Sequence, residues 1–267
     1  MKTMKDGLRI ARALRGLGGA KAPATLLPDV IRRIGLGDAY WKLESPLGPV
    51  YAAHSKAGIS MVTRARSDAE FERAFARRFG RTATREHTVP PASIRALVRN
   101  LRGKAGSDLR FDLRGLSEFE RAVLMKALEI PRGEVRPYSW IAREIGHPGA
   151  VRAAGSALAK NPVPLLIPCH RVVRSDGTIG AYSLGGARNK RTLLELEGAH
   201  PETLERLAAE GVRYLGSERG RHYCYPTCGG VETLVVSNTV RFHTAAEAAA
   251  AGYHPCEDCR PPVARAS

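Results

Sequence analysis

Residues 161–173 read Asn-Pro-Val-Pro-Leu-Leu-Ile-Pro-Cys-His-Arg-Val-Val, and this stretch is the most informative in the chain. It is an apolar run that ends in Cys169, with His170 as the next residue. Because apolar surroundings keep a thiol protonated and inert, such a cysteine needs a nearby base or cation to become a thiolate. Pro168 fixes the backbone just before the cysteine and has no N–H to donate to a strand ladder. The pattern therefore predicts that Cys169 is a presented nucleophile.

The core Pro168–Val172, preceded by Asn-Pro-Val-Pro, resembles the active-site signature of the O6-alkylguanine-DNA alkyltransferases, and the resemblance extends over Val135–Gly198. It implies that Cys169 accepts the alkyl group, that His170 acts through a water as the base, and that Glu197 orients the histidine. These residue types suit the chemistry, because displacement at a methyl carbon requires a thiolate and a carboxylate–imidazole pair accepts the proton at neutral pH. A thioether sulfur is a poor leaving group, so each molecule would act once.

The same resemblance implies roles in base extrusion and in the guanine pocket. Tyr138 would help to rotate the nucleotide and would polarise the guanine, and Arg152 would fill the vacated stack, which offsets the cost of extruding a base. Asn161 would support the turn around the helix-turn-helix. Tyr182 and Ser183 would line the guanine pocket. Considered singly, either tyrosine has an alternative interpretation as a half-buried aromatic residue of the core.

Two short helical patterns precede the cysteine stretch, at residues 139–145 and 149–160, and Gly146-His147-Pro148 joins them. This spacing is typical of a helix-turn-helix. The second pattern is rich in alanine and glycine, which favours close approach either to a neighbouring helix or to a nucleic-acid groove. Upstream, a capping box of Ser117 and Glu120 predicts a helix that runs to about Glu129. Together with the resemblance, these patterns predict an α-helical, winged helix-turn-helix catalytic domain at residues 111–200, which binds DNA from the minor groove.

The N-terminal region has strand-like segments at residues 40–45, 49–54 and 58–64, separated by Pro46-Leu47-Gly48 and Lys56-Ala57-Gly58 turns. Residues 67–79 predict a helix, on which phenylalanines at positions 71, 75 and 79 form an apolar stripe that we interpret as core. A second helix is predicted at 92–101 and a linker at 103–107. By position, topology and the Glu44–Gly48 match, residues 35–110 are expected to form an α/β domain similar to the RNase H-like fold. A basic extension, residues 1–34, precedes it.

Four cysteines occur as two close pairs, Cys224-x3-Cys228 and Cys256-x2-Cys259, with 27 residues between the pairs. This spacing suits one tetrahedral, structural zinc ion, which would stabilise so small a module. Two disulfides or four free thiols are the alternatives. Residues 238–248 and 251–261 resemble the zinc domain of the Ada DNA-repair protein, which predicts a small zinc-binding α+β module at 208–263. Residues 198–212 are expected to be a plain connection to it.

In Ada the first cysteine of the zinc domain also accepts a methyl group from DNA phosphotriesters, so Cys224 would be its counterpart. Residues 220–230 do not reproduce the threonine and arginine positions by which that domain contacts phosphate. This difference favours a structural or DNA-docking zinc module over phosphotriester repair.

Composition is compatible with this organisation. The 267 residues allow two or three domains, and 42 Lys+Arg against 26 Asp+Glu give a net charge of +16 and a pI near 10.1. Such an excess favours a polyanionic partner, nucleic acid above all, although a generally basic surface is the alternative. No apolar run approaches the length of a membrane span. Four of the five cysteines lie in the last 44 residues, which argues against a disulfide framework and predicts a reducing bacterial cytoplasm.

The function predicted from the sequence is direct DNA repair. The protein would remove the alkyl group of O6-alkylguanine, and of O4-alkylthymine, from double-stranded DNA and transfer it irreversibly to Cys169, as a monomer. One alternative is a zinc-dependent DNA-damage sensor that repairs methylphosphotriesters at Cys224. Two others are a lesion-binding relative, which would lack the acceptor cysteine, and a cysteine hydrolase, which would turn over.

Overall fold

The computed structural model describes residues 37–87, 92–101, 109–218, 220–229 and 239–264, with the single residues 26, 30 and 34. The expected linker at 103–107 and nearly all of the basic extension lie outside these residues. Within the described ranges, no helix combines the length and the apolar character needed to cross a bilayer.

The N-terminal sheet has four strands in the order β3-β2-β1-β4. They are β1 (Gly37–Leu43), β2 (Val50–Ser55), β3 (Gly58–Thr63) and β4 (Thr82–Arg85). The first three pair antiparallel, which confirms the predicted meander. Strand β4 was not predicted; it pairs parallel to β1 and has only four residues, too few to show an alternating pattern.

Helix α1 (Asp68–Phe79) covers one face of this sheet. It begins after Ser67, whose side chain accepts a hydrogen bond from the N–H of Glu70, and ends at Gly80 in the left-handed conformation. The ring of Phe71 lies 4.6 Å from that of Tyr40 and 5.1 Å from that of Tyr51, centroid to centroid. The first two phenylalanines of the stripe are buried, so the stripe belongs to the core, as predicted.

The outer edge of β3 is bonded to the rest of the chain at two places. The N–H of Ile59 donates to Arg110 and its carbonyl accepts from Asp112, at 2.9 and 2.8 Å. Gly58 is required there, because a Cβ at that position would lie 2.2 Å from the Arg110 carbonyl oxygen. Further along, the N–H of Val62 donates to the carbonyl of Pro162 at 2.8 Å. The sheet therefore braces the loop that carries the Pro-Cys-His sequence.

The middle of the chain contains six helices, which pack around the largest cluster of buried apolar residues. They are α2 (Ala92–Leu101), α3 (Glu118–Leu128), α4 (Tyr138–Glu144), α5 (Val151–Ala159), α6 (Gly186–Leu196) and α7 (Pro201–Ala209). The predicted capping box is confirmed, since the Ser117 hydroxyl accepts from the N–H of Glu120 at 3.2 Å and the Glu120 carboxylate accepts from the N–H of Ser117 at 3.0 Å.

Helices α4 and α5 lie where the helix-turn-helix pair was predicted. Helix α5 packs against α3 and α4 through its small residues, of which Ala154 and Ala157 are buried. The buried side of α5 thus serves helix packing, while its opposite side, with Arg152, is exposed.

The expectation of a plain connection at 198–212 was wrong, because α7 occupies most of it. Pro201 stands in the first turn, where its missing N–H costs no hydrogen bond. Leu204, Leu207 and Ala208 are buried, at helical spacing. The apolar periodicity is short and follows directly on the Glu-Gly end of α6, which is why the segment resembles a linker.

In the part that the structure describes, the C-terminal module is a second four-stranded sheet, in the order β10-β8-β7-β9, with one short helix. Its elements are β7 (Tyr214–Ser217), β8 (His222–Cys224), β9 (Thr239–Phe242), α8 (Ala245–Ala250) and β10 (His254–Pro255). Two further strands, each of two residues, lie in the middle of the chain: β5 (Arg136–Pro137) and β6 (Val172–Val173). They pair in parallel with each other.

Candidate active site and metal centre

The loop at residues 161–168 is held by the side chain of Asn161, which is itself buried. Its Nδ2 donates to the carbonyl of Ile167 at 2.9 Å and to Sγ of Cys169 at 3.2 Å, while its Oδ1 accepts from the N–H of Val163 at 3.0 Å. Leu165 adopts a φ of 76°, a left-handed conformation that is costly for a non-glycine residue. One amide side chain therefore shapes the loop and contacts the thiol.

Cys169 opens a single turn of 3-10 helix, Cys169–Arg171, and only 6% of its surface is exposed. Burial raises the pKa of the thiol, while the hydrogen bond from Asn161 and the charge of Lys190 act in the opposite direction. The resting thiol is therefore protonated, and its activation requires both a proton acceptor and a nearby cation.

The proton acceptor expected from the sequence lies within the same turn. His170 is 1% exposed, and its Nε2 lies 3.1 Å from Oε1 of Glu197. The contact is off-axis, since neither ring nitrogen has a well-aligned hydrogen-bond partner among the described residues. Burial lowers the pKa of His170, and Glu197 only partly opposes this effect. The imidazole is therefore neutral at neutral pH and free to accept a proton.

Glu197 has a second partner that sequence reasoning missed. Arg171 grips its carboxylate with two bonds, Nε to Oε2 at 2.7 Å and Nη2 to Oε1 at 2.8 Å, and donates a third to the carbonyl of Ile130 at 2.7 Å. Burial alone would raise the pKa of Glu197, but the hydrogen bonds from Arg171 and the close contact with His170 lower it to about 2. The carboxylate is thus charged at neutral pH. Arg171 stands in the quoted stretch, but sequence spacing does not tell which of two adjacent basic residues meets an acid.

Lys190 was also missed, and it supplies a cation beside the thiol. Its side chain is fully buried in α6, with Nζ 2.5 Å from the carbonyl oxygen of Val172. Burial lowers its pKa to about 8, and a negative charge on Cys169 would raise it. A lysine on an amphipathic helix is normally exposed, so its type and position gave no signal. The sequence predicted a base or a cation near Cys169; the structure provides both.

The two predicted tyrosines lie around this cluster. Tyr138, the first residue of α4, is half-buried, and its ring centroid lies 6.0 Å from Nζ of Lys190. Tyr182 is buried, and its ring stands edge-on to that of His170, 6.0 Å away. Burial raises the pKa of both phenols, and a charge on Cys169 would add to the effect. Both hydroxyls therefore remain protonated at neutral pH.

The structure brings most of the predicted residues together and leaves two apart. Arg152 and Ser183 are exposed and do not belong to the buried cluster. The residues gathered around the thiol are Asn161, Cys169, His170, Tyr138, Tyr182 and Glu197, with Arg171 and Lys190 in addition.

A separate cluster of four cysteines lies in the C-terminal module. The sulfur atoms of Cys224, Cys228, Cys256 and Cys259 all lie within 4.8 Å of one another. The two pairs meet at Cys228 and Cys256, whose Sγ atoms are 4.0 Å apart. Tetrahedral zinc with about 2.3 Å bonds separates its sulfur ligands by about 3.8 Å, so the arrangement fits that ion. All four cysteines are free, which removes the disulfide alternative.

The electrostatics of the cluster define what a bound cation would have to offset. Hydrogen bonds with Cys228 and Cys259, followed by burial, raise the pKa of Cys224. Four thiolates so close together would repel one another strongly unless a cation lay between them. Cys224 is fully buried, and Cys256 is the most exposed of the four at 7%.

Comparisons with known proteins match both regions of the chain that carry these clusters. The family model described as "6-O-methylguanine DNA methyltransferase, DNA binding domain" matches residues 118–199, and the "Metal binding domain of Ada" matches residues 205–262. With this second match and the geometry of the four sulfur atoms, the C-terminal module contains a zinc-binding site.

Curated relatives match the chain at 38–54% identity. A methylated-DNA–protein-cysteine methyltransferase of Mycobacterium bovis is 38% identical over 165 residues, which cover 59% of this chain and 91% of the relative. One from Methanothermobacter thermautotrophicus is 44% identical over 119 residues, with 42% and 66% covered, and one from Mycolicibacterium paratuberculosis has only 55% of its length covered. The crystal structure of Mycobacterium tuberculosis O6-methylguanine methyltransferase superposes with a TM-score of 0.51 at 33% identity, over 60% of this chain and 93% of that one.

Proposed function

The chain belongs to the methylated-DNA–protein-cysteine methyltransferase family, and from this premise we propose that it repairs O6-alkylguanine in DNA by a single, irreversible alkyl transfer to Cys169. The observation that carries the proposal is the buried thiol of Cys169 with a neutral imidazole next to it and a buried cation beside it. This set of groups activates a thiol for displacement without water as a competing nucleophile.

The reaction forms one bond and breaks one. The thiol proton of Cys169 passes to His170 through a water, the sulfur attacks the alkyl carbon, and the bond from that carbon to O6 of guanine breaks. The electron pair of this bond moves onto the guanine, which takes up a proton from water, and His170 later releases to water the proton that it received, so that in the net reaction the thiol proton replaces the alkyl group on the base. Glu197, locked by Arg171, stabilises the protonated imidazole, and Lys190 stabilises the thiolate before attack.

The depth of Cys169 requires that the damaged base leave the duplex, since a base inside the stack cannot reach a thiol that is 6% exposed. Exposed Arg152, in the first turn of α5, is suitably placed to fill the gap in the stack. The protonated hydroxyl of Tyr138 is a donor for the extruded guanine, and Tyr182 forms a wall of its pocket. Ser183 would contact the base from the exposed rim.

The partner in this proposal is double-stranded DNA with alkylated guanine or thymine. A DNA-binding domain model matches residues 118–199, and the net charge of +16 favours a polyanion. We further propose that α4 and α5 act as a winged helix-turn-helix in the minor groove and that the N-terminal sheet with α1 is RNase H-like. The division into 1–34, 35–110, 111–200 and 208–263, a monomeric state and a bacterial cytoplasmic location belong to the same proposal.

Phosphotriester repair at Cys224 finds no support in the geometry. Cys224 is fully buried under the turn that it begins, and a backbone phosphotriester, unlike a base, cannot be extruded into a protein core. The cluster of four cysteines is therefore assigned a structural zinc ion.

One experiment tests the proposal directly. The protein is incubated with duplex DNA that contains O6-methylguanine, and peptide mass spectrometry locates the added methyl group. We expect one methyl per protein molecule, on Cys169, and none in a Cys169→Ser variant. A methyl group on Cys224 or repeated turnover by one protein molecule would contradict the proposal.

A further inference from the structure

The turn between the first two zinc ligands touches the catalytic half of the chain. Thr227 lies in this turn, and its hydroxyl accepts a hydrogen bond from the N–H of Val135 at 2.8 Å. Directly after the second ligand, the N–H of Gly229 donates to a carboxylate oxygen of Glu134 at 3.2 Å. A side-chain hydroxyl and a backbone N–H at the metal turn are thus tied to two consecutive residues of the segment before α4.

The residues that follow the first and the last zinc ligand extend this contact. The ring of Tyr225, which follows the first ligand, lies 5.7 Å from the guanidinium of Arg136, and this guanidinium lies 5.9 Å from the ring of Trp140 in α4. Arg260, which follows the last ligand, approaches the same indole at 5.5 Å and pairs with Glu144 at 3.2 Å. The zinc module therefore grips both the start and the end of α4.

The gripped segment leads directly to the alkyl-acceptor site. Val135 is followed by β5, which pairs with Val172, the residue after the Cys169–Arg171 turn, and β5 is followed by Tyr138. Gly133, in the same segment, lies so close to Glu197 that a Cβ would be 3.0 Å from its carbonyl oxygen. A shift of this segment would therefore reach the turn of Cys169, the carboxylate behind His170 and the tyrosine of the base pocket.

We propose that the zinc module is a positioning element for alkyl transfer, and that Thr227 is the residue through which the metal turn fixes the segment before Tyr138. The proposal rests on the proposed function. When zinc is bound, the four cysteines hold the backbone of the turn in place. The Thr227 hydroxyl then holds the N–H of Val135, and with it the register of β5 against β6.

The test compares hydroxyl-deleting and hydroxyl-keeping variants of the full-length, zinc-loaded protein. Thr227→Val removes the hydrogen bond at nearly constant volume, and Thr227→Ser keeps it. Thr244→Val is the matched control, because its hydroxyl lies in the same module but caps α8 by accepting from the N–H of Glu247 at 3.0 Å. For each protein we would measure zinc content, DNA affinity, the first-order rate of methyl transfer from bound O6-methylguanine DNA, and the pH profile of Cys169 alkylation by iodoacetamide.

For Thr227→Val we expect transfer about fivefold slower and a displaced alkylation profile, with full zinc content and DNA affinity within about twofold of wild type. Thr227→Ser and Thr244→Val should match wild type. The proposal is overturned if Thr227→Val transfers at the wild-type rate, if Thr244→Val is slowed equally, or if the loss in Thr227→Val only follows a loss of zinc. A wild-type protein that transfers no methyl would instead overturn the proposed function, while the iodoacetamide profile would still report on the coupling.

Discussion

Replacing Glu197 with glutamine removes the charge that Arg171 and His170 share. The pKa of this carboxyl falls from 4.5 to about 2 in the folded protein, and each pKa unit is worth about 1.4 kcal/mol, so the ionised group contributes about 3 kcal/mol to the free energy of unfolding. Its side chain is 11% exposed, so solvent screening reduces this value little. Because the pKa is depressed on folding, the contribution is fully present above pH 4.5 and is lost as the pH falls towards 2.

The assay is urea unfolding of wild type and Glu197→Gln between pH 2 and pH 7. Trp140, buried in α4, reports on the catalytic half once Trp41 is replaced with phenylalanine in both proteins. We expect the variant to be about 3 kcal/mol less stable at pH 7, with a difference that shrinks towards zero near pH 2, where the wild-type carboxyl is protonated. Acid also releases zinc, but it does so in both proteins, so this effect cancels in the difference.

A constant difference across this pH range would refute the reasoning, because it would show that glutamine perturbs packing and not charge. If the two proteins have nearly the same free energy of unfolding at pH 7, the ion pair of Glu197 with Arg171 makes no net contribution to stability. The double variant Arg171→Met/Glu197→Gln separates these outcomes: if the charge pair is the cause, removing the second partner relieves the cost of an unpaired buried guanidinium and restores part of the stability.

Three further predictions concern the groups around the thiol, the DNA and the metal. Lys190→Met should raise the pH midpoint of Cys169 alkylation by iodoacetamide and slow the reaction at pH 7, because the charge of Lys190 lowers the pKa of the thiol; an unchanged midpoint would remove Lys190 from the site. Arg152→Ala should slow repair of duplex DNA but leave iodoacetamide labelling unchanged, since the exposed side chain acts on the DNA and not on the thiol; equal effects in both assays would contradict this role. Removal of zinc with a chelator should make four additional thiols reactive towards a disulfide reagent and reduce the ordered structure of the C-terminal module by circular dichroism; thiols that remain protected would show that the module folds without metal.

The sequence was sufficient to predict the metal ligands, and it placed the proposed acceptor and its proposed base side by side, because each depends on a short motif with a fixed spacing. The meander, the phenylalanine stripe of α1 and the capping box of α3 were predictable for the same reason, as local patterns. What the sequence could not show depends on contacts between distant residues. Arg171 gained a role only because the Cys169–Arg171 turn aims it at Glu197, and Lys190 only because α6 buries it against the carbonyl of Val172.

Short elements of secondary structure were the other part of the fold that the sequence did not predict. Strand β4 has no readable pattern in four residues and exists because β1 offers it a parallel partner. Helix α7 was interpreted as a connection because its apolar residues extend over little more than one turn. In both cases the tertiary environment supplies the stability that the local sequence does not specify.

The bonded outer edge of β3 has a consequence for how the two halves depend on each other. An open edge strand exposes N–H and C=O groups that pair readily with other chains. In this fold, the edge groups of Ile59 are taken by Arg110 and Asp112, and the N–H of Val62 is taken by Pro162. Residues 110–112 and the loop at 161–168 thus shield the N-terminal sheet from self-association, and the sheet expressed without them would present an unpaired edge as a template for aggregation.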